Sequence, residues 1–367
     1  MRPFRTLLLA AAFLALTACG AGEQADEGGM SPSPKASAQR AETTQAQTSE
    51  TEATKVQPAP DETARSEPEP TAKEPEPGPV AEYEEFTIEG LREREYGRGG
   101  GIEVQQTLEE NGVFTRYLVS YPSDDLTITG MLNVPVGEGP HPVVILNHGY
   151  YPIEVYRTGD GSTLAADYLA SRGFLTFSPD FRSHAGSTDA PNVFRAGHVI
   201  DALNAIDPIR DLGEAADGKV GMWGHSNGGA ITAKAMAVSD EIGAAVIYAP
   251  ASSNLAQDYA FKAQRAAENG EGVDRAEWPV SPDEAPELYR RLSPLPYLEG
   301  VDAPVQIHWG TADETVPRAW PADLYEGLRE AGKPAEFFEY PGQPHSFYGA
   351  DNELYLQRTA EFFEANL

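Results

Sequence analysis

With a single cysteine in 367 residues, Cys19, the chain has no partner for an intramolecular disulfide, no CxxC redox pair and no cysteine set for zinc. Basic residues are also scarce. Lys and Arg number 27 against 57 Asp and Glu, a formal charge of −30. That excludes binding to nucleic acid, which needs a basic surface to displace counterions from phosphates, and it fits a well-solvated acidic surface. There is no HExxH, nor any run of His and Asp at ligand spacing, so neither a metal nor another cofactor is expected. What the chain does have is 40% hydrophobic residues, enough for a sizeable core.

The first 19 residues, MRPFRTLLLAAAFLALTAC, place two arginines before an apolar run and end in small residues, the layout of an export signal. The run is too short for a comfortable membrane span. Leu16-Thr17-Ala18-Cys19 resembles the lipobox of bacterial lipoproteins, which implies cleavage before Cys19 and lipid attachment to it. The protein is then expected in the bacterial cell envelope, held to a membrane by lipid. Residues 20–85 are rich in Glu, Pro, Ala, Thr, Ser and Gln, and few large apolar residues are available to offset the entropy of ordering them. They read as a disordered tether, partly extended where Glu-Pro steps recur.

The rest, 86–367, reads as one domain. Alternating segments at 115–121 and 126–134, on either side of Pro122-Ser123-Asp124-Asp125, predict a β-hairpin. Residues 142–147 (PVVILN) form a solid apolar run of the kind buried on both faces of a parallel sheet. Strands are then expected at 174–178, 220–223, 244–248, 305–308 and 337–340, with helices at 163–172, 194–212, 228–238, 317–331 and 353–365. This alternation predicts an α/β fold with a doubly wound, mostly parallel sheet, its ligand site beyond the carboxyl ends of the strands. Residues 251–296 interrupt the rhythm. They are too many for a bare loop and predict a helical cap over that edge.

Gly224-His225-Ser226-Asn227-Gly228 fits the pattern G-x-S-x-G between an apolar strand and a helix-forming run. An abrupt strand-to-helix turn strains the serine and needs small neighbours, and it raises the hydroxyl at a helix N-terminus that favours an anion. Ser226 is therefore the candidate nucleophile. Such an alcohol needs a base, and the base needs a carboxylate to fix its tautomer. His345, in the loop PGQPHSF directly after a strand, is the candidate base. His308, inside an apolar strand, reads as a core residue, and His141 as solvent-facing. Asp313, in GTADETVP after the strand VQIHW, is the candidate acid; Glu314 is its neighbouring substitute, whereas Asp302 precedes the strand.

An oxyanion needs two donors. The N–H of Asn227 comes with the turn, and Asn147-His148-Gly149-Tyr150 can supply the N–H of Tyr150, with Gly149 letting the backbone pass close by. The loop from Tyr150 to Arg157 is expected at the pocket mouth, where His148, Tyr151 and Tyr156 could grip a substrate group or simply pack. Arg182 and His184 read as structural.

From residue 115 to 367 the chain resembles the α/β-hydrolase superfamily, most closely the catalytic domain of the prolyl oligopeptidase family and its dienelactone-hydrolase-like relatives. The resemblance rests on ILNHGY, YLASRGFLTFSPDFR, GMWGHSNGG, LSPLPYLEGVDAPVQIHWGTADETVP and YPGQPHSF in that order. It implies a Ser226-Asp313-His345 triad, with Asn227 and Tyr150 at the oxyanion hole. Two departures stand out: residues ahead of the domain are too few for the β-propeller of many family peptidases, and the frequent HGG is His148-Gly149-Tyr150 here. The expectation is a serine hydrolase acting on a small ester or amide, with esters favoured. The alternatives are a peptidase acting on short peptides and an inert scaffold of the same fold.

Overall fold

The computed structural model describes residues 78–367. The export signal, Cys19 and the tether up to residue 77 lie outside the described residues. Nine strands form one sheet: β1 (Glu103–Glu110), β2 (Phe114–Ser123), β3 (Leu126–Pro135), β4 (Val143–Asn147), β5 (Leu175–Pro179), β6 (Val220–His225), β7 (Ile242–Tyr248), β8 (Val305–Gly310) and β9 (Ala335–Tyr340). Their order is β1-β2-β3-β5-β4-β6-β7-β8-β9. The pairs β1/β2, β2/β3 and β3/β5 are antiparallel and all the others parallel, as the doubly wound reading expects.

The helices are α1 (Pro79–Glu82), α2 (Ile88–Arg92), α3 (Thr163–Ala170), α4 (Ala196–Asn204), α5 (Ile206–Arg210), α6 (Asn227–Val238), α7 (Leu255–Glu268), α8 (Pro286–Leu292), α9 (Ala319–Glu330) and α10 (Gly349–Asn366). β4 and β5 are fully buried along their length, which explains why they read as solid apolar runs. Apolar side chains collect in two large clusters, one holding Ile145, Phe177, Met222 and Ile247, the other Val144, Leu146, Trp223 and Val246. Successive residues of β4 and of β6 thus enter different clusters, the pleat of a strand covered on both faces.

Several expectations need correction. The tether was expected to run to residue 85, but Pro79–Glu82 and Glu84–Phe86 already form helical turns, and the Tyr83 ring meets Phe194 edge-on at 5.3 Å. The expected turn at 122–125 is shorter, because Pro122 pairs with Thr127 and Ser123 with Leu126, leaving Asp124 and Asp125 as the turn. The helix expected at 194–212 starts at Ala196 and breaks after Asn204; Phe194 and Arg195 are both left-handed, with φ of 46° and 57°. His141 is buried rather than solvent-facing, because the chain at Glu214–Ala216 bonds to both sides of its peptide and its Nδ1 lies 3.0 Å from the Gly173 carbonyl. β1 was not foreseen. Its EVQQTLEE sequence is exposed at almost every position and shows no apolar face.

Between β7 and β8 the chain forms α7 and α8. α7 and α8 enclose a separate apolar cluster of Leu255, Trp278, Leu288, Tyr289 and Leu292, into which Phe194 inserts from the segment before α4. Arg291 of α8 pairs with Glu84 and with Glu89 (3.4 Å), tying the cap to the beginning of the domain.

Candidate active site

Strand order reverses at β4. From β4 the chain moves outward to β5, then crosses back to place β6 on the other side of β4. The loops leaving β4 and β6 consequently diverge at this point, the place where such sheets leave a crevice. The loop after β4 carries His148, Gly149 and Tyr150, and the turn after β6 carries Ser226.

Ser226 has φ 57° and ψ −119°, a strained conformation for a residue with a side chain. The surroundings hold it there. Its N–H donates to the Tyr248 carbonyl at 2.9 Å, and its carbonyl accepts from Gly229 (3.0 Å) and Ala251 (2.9 Å). The glycines permit the close approach: a Cβ on Gly224 would fall 2.1 Å from the Gly228 carbonyl oxygen, and one on Gly228 would fall 1.9 Å from that of Asn147. On the other side, a Cβ on Gly149 would stand 3.3 Å from the Ser226 Cβ, so the loop after β4 passes directly beside the serine.

His345 and Asp313 meet. His345 Nδ1 is 2.8 Å from Asp313 Oδ2, and Oδ1 of the same carboxylate accepts from the N–H groups of Thr315 and Val316, both at 2.8 Å. The Asp313 side chain is fully buried and Glu314 is exposed, which separates the two carboxylates that the sequence leaves side by side. An ionised carboxylate only accepts, so Nδ1 is the donor in this bond and Nε2 is the ring nitrogen left for proton transfer. Among the described residues neither Nε2 of His345 nor the Ser226 hydroxyl has a hydrogen-bond partner, not even each other. Such contacts commonly tighten only when substrate binds.

His225, one residue before Ser226, holds the His345 loop. Its Nε2 donates to the His345 carbonyl at 3.0 Å, its ring lies 4.7 Å from the His345 ring, and it stacks on Tyr248 at 4.3 Å. Burial lowers its pKa to about 4, so it stays neutral and serves as a strut.

The amides of Asn227 and Tyr150 have no acceptor among the described residues. Asn227 opens α6, so its N–H is one of the unsatisfied donors at the start of a helix. Next to these amides lies a cleft of about 510 Å³ between the loop after β4, the segment from Arg182 to His198, and the cap. His148, Tyr150 and Tyr151 line it, together with Lys262 and Trp278 of the cap. Tyr150 is 67% exposed, with Lys262 Nζ 4.4 Å from its ring centre.

Tyr156 does not line the cleft. It is buried, stacked on His148 at 4.4 Å, and its hydroxyl donates to Asp180 at 3.1 Å, so it supports the loop from below. Arg182 is structural as read, paired with the fully buried Asp201 through Nη2 at 2.8 Å and Nε at 3.1 Å, although it and His184 also reach the cleft wall. His308 is the core residue expected, bonded to Tyr340 (2.9 Å) and Gln306 (2.8 Å).

Sequence reasoning missed two residues. Asp180 is buried under the loop after β4 and accepts from Thr129 (2.6 Å), Thr158 (2.7 Å) and Tyr156; burial raises its pKa, against these hydrogen bonds. Arg195 reaches the nucleophile turn itself, bonding the Asn227 side chain. Its only sequence signal is a lone cation in the otherwise apolar stretch VFRAGHVI.

Comparison with known proteins agrees with this architecture. A model of the prolyl oligopeptidase family matches residues 162–367. An uncharacterised peptidase of Bacillus subtilis, YtmA, is 23% identical over 255 residues, covering 68% of this chain and 93% of that relative. Among solved structures, acetyl xylan esterase 1 from Thermoanaerobacterium superposes with a TM-score of 0.60 at 17% identity, covering 78% of this chain and 95% of the other. The acylaminoacyl peptidase of Pyrococcus horikoshii gives 0.55 at 23% identity, covering 70% of this chain and 42% of its own.

Proposed function

Because the chain belongs to the prolyl oligopeptidase family and is a serine hydrolase acting on esters or peptides, we propose that Ser226, His345 and Asp313 are its triad and that small esters are its preferred substrates. The observation that carries the triad is the Asp313–His345 pair, whose loop is tied through the His345 carbonyl to His225, the residue next to a serine held in a strained turn. In the reaction, His345 Nε2 takes the hydroxyl proton as Ser226 Oγ attacks the acyl carbon. The oxyanion is bound by the N–H groups of Asn227 and Tyr150. His345 returns the proton to the leaving alcohol, and water repeats the sequence to release the acid and regenerate the serine, while Asp313 stays ionised throughout.

The preference for small esters is supported by the cleft beside the Asn227 and Tyr150 amides, whose volume of about 510 Å³ suits a small molecule and which the cap bounds on one side. A fluorophosphonate probe tests the nucleophile: it should label the protein and fail on Ser226→Ala, and labelling that persisted on the variant would remove the assignment. p-Nitrophenyl acetate and butyrate should turn over faster than aminoacyl-p-nitroanilides; the reverse order would make the protein a peptidase acting on short peptides.

The reading also locates the enzyme in the cell envelope. Support comes from the order of Arg2, Arg5, the apolar run and Leu16-Thr17-Ala18-Cys19. Incorporation of labelled palmitate, abolished by Cys19→Ala, is the expected result; no incorporation into the natural chain would overturn it.

A further inference from the structure

The cap and the nucleophile turn meet at Arg195. Its guanidinium is bonded through Nη1 to the Asn227 side-chain oxygen, and the same Nη1 is 3.0 Å from Asp258 of α7. Nε lies 3.3 Å from Glu277, and the group sits 5.6 Å from the centre of the Trp278 ring, both from the cap. The side chain is 9% exposed and Asp258 only 3%, so the charges meet in a largely dehydrated setting where an ion pair depends on its geometry.

The backbone is committed as well. Phe194 and Arg195 are both left-handed, a costly conformation for residues with side chains, and Phe194 donates its N–H to the Glu277 carbonyl at 2.8 Å while its ring fills the cap cluster. Two successive strained residues are thus held by the cap, and the second delivers a guanidinium to the residue whose amide follows the nucleophile. An arginine that served only to bind the cap would have its partners there. This one makes its one side-chain hydrogen bond, among the described residues, to Asn227.

We propose that Arg195 is a positioning residue through which the cap fixes the first turn of α6, and with it the Asn227 N–H that receives the oxyanion. This rests on the hydrolase reading above. The cap is then part of the catalytic apparatus as well as a wall of the cleft. The charges of Asp258 and Glu277 hold the guanidinium beside α6, the guanidinium holds the Asn227 side chain, and the amide is set before charge develops on the substrate.

The consequence is a loss in kcat with little change in KM, because the clamp acts on a donor used chiefly in the transition state. The experiment is a double-mutant cycle of Arg195→Ala and Asn227→Ala, the latter keeping the backbone amide. Each single change should lower kcat for p-nitrophenyl acetate by about tenfold or more and weaken a boronic-acid inhibitor, which mimics the tetrahedral adduct, by a similar factor. The double variant should be no worse than the poorer single one. Additive losses, losses confined to KM, or unchanged boronic-acid affinity would overturn the proposal. Should Arg195→Ala not accumulate as folded protein, Arg195→Lys enters the same cycle under the same criteria. Fluorophosphonate labelling of the unmutated protein separates the two readings: without labelling the hydrolase assignment itself fails, and with labelling plus additive losses only the role of Arg195 does.

Discussion

Asp313 binds His345 through one carboxylate oxygen, at 2.8 Å, and is itself fixed through the other by the amides of Thr315 and Val316. The acid is therefore pinned to its own loop and cannot follow the imidazole if the latter swings. Asp313→Asn should leave the far-UV circular dichroism unchanged and lower kcat by roughly 10³- to 10⁴-fold, the scale seen when a triad carboxylate is made neutral. Glu314→Ala, at an exposed position, should stay within about twofold of the natural enzyme, as surface changes away from special features do. If steady-state kinetics found the second change the more damaging, the acid would be Glu314.

The turn that bears Ser226 tolerates no added methyl group. A Cβ on Gly228 would stand 1.9 Å from the Asn147 carbonyl oxygen and 2.7 Å from that of His148, backbone atoms that no rotamer change can remove. Gly228→Ala should cost about 3 kcal/mol or more of stability, at the upper end for overpacking, or prevent folding altogether. Gly213→Ala, where a Cβ meets nothing within 4 Å, should be close to neutral. Urea denaturation compares the two.

Lys234, on α6, is buried with Nζ 3.4 Å from the Phe194 carbonyl, and burial, helped by the charge of Arg195, lowers its pKa to about 7. The unfolded chain therefore binds more protons here between pH 7 and the ordinary lysine value near 10.5, and the penalty of the buried cation is full below pH 7. Lys234→Met should raise the melting temperature most at pH 7 and below, with the gain shrinking as pH approaches 10. A gain independent of pH would show that packing, and not ionisation, accounts for it.

Four histidines give the opposite flank, His198 among them with burial holding its pKa well below the ordinary value. Burial lowers His148 and His225 to about 4 and His308 to about 3. In the unfolded chain each takes up a proton near pH 6.5, so stability present above that value is lost as pH falls toward 4. The urea midpoint should already decline between pH 6.5 and 5.5, above the range in which carboxylates titrate. A flat midpoint over that interval would contradict the neutral state of these rings.

Much of this architecture is legible in the sequence, and the part that is not has identifiable causes. β4 announces itself because both faces are buried, so its residues are uniformly apolar. β1 does not, since an exposed outer strand needs no apolar face. Ser226, His345 and Asp313 each follow a recognisable strand, which is why the sequence can place them at the same edge of the sheet. Tyr156 and Asp180 could not be sorted in that way: an aromatic residue in a loop after a strand points to the cleft or beneath it according to contacts made 24 residues further along the chain. Arg195 was hidden for a related reason. Its partners Asn227, Asp258 and Glu277 are 32 to 82 residues away, and no local pattern connects them.

β1 also bears on how the molecule behaves in a crowded solution. It forms one margin of the sheet, carries glutamates at 103, 109 and 110, and its pairing with β2 shifts register twice, between Val104 and Gln106 and between Thr107 and Glu109. A ribbon so kinked and so negatively charged is a poor template for another chain, and a second copy approaching it would meet repulsion in place of a row of aligned peptide groups. Along this margin the sheet is protected from growing into an aggregate.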